Sequence, residues 1–178
     1  AQEPPGAPAL PARVVYLVLP AGAAATGLSV QATETLLGRD ILVRPAQLAS
    51  RSDAPPPAFV PPDPAVYSSD TPTPDAWAVI QDAHQLHGYT FVSLRLNPVR
   101  YVPGRCELSV ATRIEVTLRF SSSDANPASE LRTVSRGSDR VAAMVGNPQD
   151  VLLFAPSGER TAAPDSGATY LLITSSNL

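Results

Sequence analysis

The stretch from Cys106 to Phe120 constrains the fold most. Its even positions, Cys106, Leu108, Val110, Thr112, Ile114, Val116, Leu118 and Phe120, are apolar or small. The odd ones, Glu107, Ser109, Ala111, Arg113, Glu115, Thr117 and Arg119, are mostly polar. Alternation with period two puts one set on a buried face and the other in water, so this is a β-strand. Upstream, Val92, Leu94 and Leu96 share one face of another strand. Val102-Pro103-Gly104-Arg105 sets Pro and Gly at the centre of a type II turn between the two, which predicts an antiparallel hairpin over Gly88 to Phe120.

Further strands are expected at Arg13 to Leu19, Leu28 to Thr35, Asp40 to Arg44 and Trp77 to Ile80. Residues 1–12 are rich in Pro and Ala and read as a loose arm. Asp53 to Pro74 holds eight prolines, which fix φ and remove ladder donors, so it is a loop rather than a strand. Long irregular stretches inside a domain are commonly functional. Phe59, Val60, Val66 and Tyr67 are expected to tack it to the body. Ala128 to Val145 is the one helical candidate, weakened by Gly137 and its serines. Tyr170-Leu171-Leu172-Ile173 is apolar throughout, as in a strand of a parallel sheet buried on both faces. The predicted organisation is an all-β, antiparallel, jelly-roll-like sandwich with long Pro-rich loops over 13–154, a linker over 155–168, and the first strand of a truncated α/β domain over 169–178.

Composition narrows function by exclusion. The formal net charge is −3 and all 13 basic residues are Arg; there is no basic stripe to neutralise phosphates, so no nucleic-acid partner is expected. No apolar run approaches the ~20 residues of a membrane helix. The chain opens Ala-Gln-Glu-Pro-Pro, which suits a mature secreted protein after signal-peptide removal, although a fragment boundary would look the same. Cys106 is the single cysteine, so no internal disulfide can form. It falls on the inward phase of its strand and reads as a small buried hydrophobe, not a catalytic thiol.

Chemistry is sparse. His84 and His87 have metal-compatible spacing beside Asp82, but nothing completes a site, and an exposed loop is the simpler reading. No paired carboxylates, Gly-x-Ser-x-Gly elbow or phosphate-binding glycine loop occurs. No cofactor, metal or catalytic residue is therefore predicted. Tyr16, Tyr67, Trp77, Tyr89 and Tyr101 leave open a secreted β-sandwich module that binds carbohydrate or a protein surface.

Five fragments in order add a resemblance. They are Gly6-Ala7-Pro8-Ala9-Leu10-Pro11; Ile41-Leu42-Val43-Arg44-Pro45-Ala46-Gln47; Gly88-Tyr89 with Pro98-Val99-Arg100-Tyr101-Val102-Pro103 and Leu108 to Phe120; Val145-Gly146-Asn147-Pro148; and Thr169-Tyr170-Leu171-Leu172-Ile173-Thr174. Together the chain resembles the N-terminal prodomain of gingipain-like cysteine peptidases, the C25 family, ending at the first strand of the peptidase domain. Arg100, Val102 and Gly104-Arg105 depart from the family pattern. The resemblance implies a non-catalytic prodomain of a secreted bacterial peptidase. Such a prodomain acts as intramolecular chaperone and inhibitor of its cognate peptidase domain, with a loop in the active-site cleft, and is removed by proteolysis. It places the inhibitory side chain at Arg51, flanked by Ser50 and Ser52. A guanidinium suits that role because it offers five donors to a buried carboxylate in a bidentate fork. Arg160 is the natural processing site in the linker, with Arg132, Arg136 and Arg140 as competitors.

Overall fold

A computed structural model describes residues 3–49, 55, 57–86, 88–121 and 138–154. Among these, six strands form two three-stranded antiparallel sheets. They are β1 (Arg13–Leu19), β2 (Ala24–Gly38), β3 (Ala78–Leu86), β4 (Tyr89–Leu96), β5 (Val99–Val102) and β6 (Glu107–Ser121). The first sheet has the order β1-β4-β3 and the second β2-β6-β5. Two short helices, α1 (Pro64–Tyr67) and α2 (Ser138–Met144), complete the regular structure.

Alternation along β4 explains the layering. Tyr89 and Phe91 face one way and join Val18, Val141 and Val151 in a buried cluster. Val92 and Leu94 face the other way and join Leu19 and Ala23, packed against Leu28 of β2 and Val116 and Leu118 of β6. The first sheet is thus the middle layer, with the second sheet on one face and the 138–154 segment on the other. The architecture is the expected antiparallel β-sandwich, with one extra cover. Each buried Val, Leu or Phe contributes roughly 1.5–3 kcal/mol through removal of apolar surface from water.

Alternation in β6 is as read over 113–119, where even residues are half-buried and odd ones exposed. The register against β2 pairs Leu28 with Leu118 and Val30 with Val116. It shifts between Thr33 and Glu34, opposite Arg113 and Ala111, leaving Thr112 as an extra residue on β6. Such a bulge locally bends and twists the strand.

The block expected as one hairpin is split. β4 and β6 lie in different sheets, and β6 makes its hairpin with the four-residue β5. Asn97 and Pro98 form the corner between the sheets. Asn97 is buried and fully engaged: its N–H donates to Trp77 O (2.8 Å), its Nδ2 to Ala76 O (2.7 Å), and its Oδ1 accepts from Arg95 Nε (3.1 Å). Pro98 cannot donate, which suits a residue leaving a ladder.

The β5–β6 connection is a 3-10 turn over Pro103–Arg105, not a type II turn. Gly104 is there for space. A Cβ would lie 3.0 Å from Asp70 Oδ1 and 3.1 Å from Ser69 O. The positive φ (52°) falls one residue later on Cys106. Cys106 therefore precedes the strand, half-buried, with its thiol toward Pro103 O at 3.6 Å.

Other local expectations are corrected. Asp40 to Arg44 makes no strand. Asp40 turns the chain with φ 57° and Pro45, which has no N–H, makes only an isolated bridge to Pro8. β3 runs on to Leu86, so Asp82 to Leu86 is an edge strand instead of a loop. Helix is present only at 138–144; the earlier part of the predicted helical region, like the 155–168 linker and the 169–178 strand, lies outside the described residues. Phe59 faces water at 70% exposure.

Candidate functional site

Of the residues singled out by sequence, Ser50, Arg51 and Ser52, and the processing candidates Arg132, Arg136 and Arg160, lie outside the described residues. Arg140 is described and sits exposed on α2. What the structure does define is the base from which the Arg51 segment leaves and to which it returns.

That base is a neck held by hydrogen bonds. Gln47 Nε2 donates to Val60 O (2.9 Å) and Gln47 Oε1 accepts from Val60 N (2.8 Å). The primary amide thus pairs with the returning chain as a strand neighbour would. Its Nε2 also reaches Pro45 O at 3.1 Å. On the other side lies the N-terminal stretch expected to be loose. Residues 6–9 are instead tied down: Gly6 N donates to Ala46 O (2.9 Å), Ala46 N to Ala7 O (2.7 Å), Ala9 N to Arg44 O (2.9 Å), and Asp63 N to Gly6 O (3.0 Å). Gly6 has φ 90°, and a Cβ would stand 3.3 Å from Pro61 O, so this close three-segment approach requires glycine. Glu3 pairs with Arg95 of β4, both side chains mostly buried.

Two tyrosines hang the neck from the body. Tyr101, fully buried on β5, donates its hydroxyl to Ile41 O (2.8 Å), and Tyr67 of α1 donates to Val43 O (2.8 Å). Burial raises the pKa of both above 10.0, and the Cys106 thiol adds to the rise at Tyr101. Both therefore stay neutral donors at physiological pH. α1 itself is started by Asp63, whose carboxylate accepts from Ala65 N at 2.9 Å, with Pro64 at its first position. The Pro-rich segment is thus pinned at Val60, Asp63 and Tyr67, and again where Thr73 exchanges backbone bonds with Tyr101 (2.8 and 2.9 Å).

His87 lies outside the described residues, and the remaining described candidates do not assemble. His84 lies on the exposed edge strand, 3.9 Å from Asp82, and no group of three or more His, Cys, Asp or Glu gathers among the described residues. The five aromatics are dispersed. Tyr89 and Tyr101 are sealed in the interior, Tyr16 packs edgewise near His84 on the first sheet, and Trp77 lies under the Arg100 guanidinium at 4.2 Å. An open depression of about 530 Å³ lies beside α1, lined by Glu3, Ser69, Thr71, Asp75 and Pro103 among others. No described helix is long and apolar enough to cross a membrane.

Sequence reasoning missed two residues, Gln47 and Asn147, although both stand inside quoted fragments. Asn147 brackets Val18 on the outer edge of β1, its Oδ1 accepting from Val18 N (2.9 Å) and its Nδ2 donating to Val18 O (3.0 Å). For Asn147 the available signal was an amide side chain next to Pro148, which suits a side chain that replaces a strand where the backbone cannot.

Fold and site together define an antiparallel β-sandwich with a clamped, proline-rich loop. The family model Propeptide_C25 matches residues 3–139, and the chain belongs to that family, the propeptides of gingipain-type C25 peptidases. Among solved structures it is similar to one titled a complex of the pro- and mature domains of RgpB from Porphyromonas gingivalis. The TM-score is 0.58 and the identity 19%, over 82% of this chain and 75% of that one. It is also similar to one concerned with the zymogenic latency of gingipain K from the same organism, with TM-score 0.56 and 23% identity over 67% and 69% of the respective chains. A search of curated proteins finds no match.

Proposed function

We propose that this propeptide serves a secreted C25-like peptidase as intramolecular chaperone and inhibitor. It places Arg51 in the active-site cleft of the cognate peptidase domain and is removed by proteolysis, with Arg160 the foremost processing position. The observation that carries the reading is the neck. Gln47 and Val60 close the base of a loop that contains Arg51, and the N-terminal segment and two buried tyrosine hydroxyls fasten that base to the sandwich. A loop fastened this way loses less conformational freedom on binding, so more of the interaction appears as affinity. The prolines at 55, 57, 61 and 62 act in the same direction by restricting φ. Arg51 supplies the anchor, a fixed charge that pairs bidentately with a carboxylate in the specificity pocket. The solved RgpB relative, a complex of pro- and mature domains, supports a partnership of this kind.

Titrating the purified chain against its cognate mature peptidase tests the reading. Inhibition is expected for the natural chain, with a loss of at least about thirtyfold for Arg51→Ala, as for truncating one partner of a buried charge pair. Gln47→Ala is expected to weaken inhibition less, by about tenfold, because the anchor survives while the neck loosens. Equal inhibition by the natural chain and Arg51→Ala would remove Arg51 from the mechanism.

A further inference from the structure

Segment 138–154 is joined to the sandwich in two ways. It covers the outer face of the first sheet, where Val141 and Val151, each 1% exposed, pack on Val18, Tyr89 and Phe91 with Ala142, Val145 and Phe154 around them. It also closes the free edge of β1. Gly146 N donates to Tyr16 O (2.8 Å), and the Asn147 amide takes both backbone groups of Val18. Asn147 is held in turn by Asp150 Oδ2 (2.9 Å). An uncapped edge strand is a template for pairing with other chains, so this closure protects the molecule. The cover has one poorly matched contact: the Tyr89 hydroxyl beneath it is buried with no hydrogen-bond partner among the described residues.

Arg140 is exposed on α2, and Val141, the next residue, is among the most buried in the chain. We infer that segment 138–154 is a latch that ties cleavage at Arg140 to loss of the propeptide fold. An Arg-directed endopeptidase needs several extended residues around the scissile bond, so it reaches Arg140–Val141 only after α2 unwinds and Val141 leaves the core. Hydrolysis consumes one water and leaves a carboxylate on Arg140 and an ammonium on Val141. That ammonium cannot return to a site lined by Val18, Phe91 and Val151 without losing its solvation, so the cut cannot reseal. The sheet then keeps an open β1 edge and an uncovered Phe91. Cutting at Arg140 destroys the propeptide instead of merely detaching it. The inference rests on the fold alone and not on the role given to Arg51.

The test is limited trypsin digestion of the 178-residue chain, with hydrolysis of the Arg140–Val141 bond followed by mass spectrometry and thermal melting recorded on the products. Cutting at Arg140 is expected to be slow and to track opening of the fold. Asn147→Ala should accelerate it on the order of tenfold, while Leu152→Ala, at a residue 79% exposed, should leave it unchanged. Chain nicked at Arg140 should lose its cooperative melt, and Arg140→Gln chain should keep it under the same digestion. Rapid cutting at Arg140 with equal rates in all three chains would overturn the inference. So would a nicked chain that melts like the intact one, and this second readout stands even if Asn147→Ala does not fold.

Discussion

The two sheets have the same strand count and the same antiparallel pairing, yet they are built to different depths. In the first, β4 has six consecutive buried residues, Tyr89 to Leu94, because a layer covers each face. In the second, β2 and β6 are 15 residues long and neither contains a fully buried residue. A strand covered on both faces reads as a nearly continuous apolar run, whereas one covered on a single face alternates. The first sheet is therefore the mechanical centre. The second is a wide wall whose far end, through β5 and Tyr101, carries the neck of the proline-rich loop.

The sharpest way to break this comparison is a pair of truncations. Phe91→Ala should cost about 3–5 kcal/mol, and Leu118→Ala about 1–2 kcal/mol because its site is only half-closed and can relax or fill with water. Urea denaturation reads both, and equal losses would mean that the sheets share the load. Next in size is alkaline destabilisation. Tyr67, Tyr89 and Tyr101 have pKa values raised by burial above 10.0. The neutral phenol is the form that the fold favours, so their contribution is complete below pH 10 and is lost as pH climbs through the raised values. Melting at a series of pH values from 8 to about 11 should show a fall that is shallower in Tyr67→Phe.

A smaller contrast separates two buried tyrosines, one in each sheet. Tyr101→Phe should cost about 1 kcal/mol and loosen the neck, since Ile41 O loses its donor. Tyr89→Phe should be neutral or slightly stabilising, because its hydroxyl has no partner to lose among the described residues. Thermal shifts of opposite rank would reverse the roles given to these rings. Smallest is Arg113→Ala, which breaks an exposed ion pair with Glu115 on β6 and should change stability by less than about 0.5 kcal/mol.

β-Branched content and the stop at Pro20-Ala21-Gly22 were enough to place β1 to the residue, and period-two alternation identified β6. The proline run likewise announced a loop. What sequence pattern could not supply was partnership. Gly88 to Phe120 reads as one hairpin because a local turn is the cheapest way to pair neighbouring strands. The chain instead changes sheets at Asn97-Pro98, and the reason lies in acceptors contributed by Ala76 and Trp77, far from any turn signal. Residues 3–10 looked loose because Pro and Ala give no periodicity, and their backbone bonds go to segments around residues 44–46 and 63. For the candidate site, resemblance alone singles out Arg51, which lies outside the described residues. The clamp at Gln47 was invisible because an exposed glutamine has no local signature of what it will pair with.

The sequence by itself determined that this chain is a β-sandwich with an irregular proline-rich excursion, because alternation and φ restriction are local properties. Tertiary structure alone decided that the first sheet has covers on both faces, that side-chain amides of Gln47 and Asn147 stand in for missing strands, and that the residue after Arg140 is a core residue. Each of these depends on a hydrogen-bond or packing partner remote in the chain, and no local pattern encodes which partner that will be.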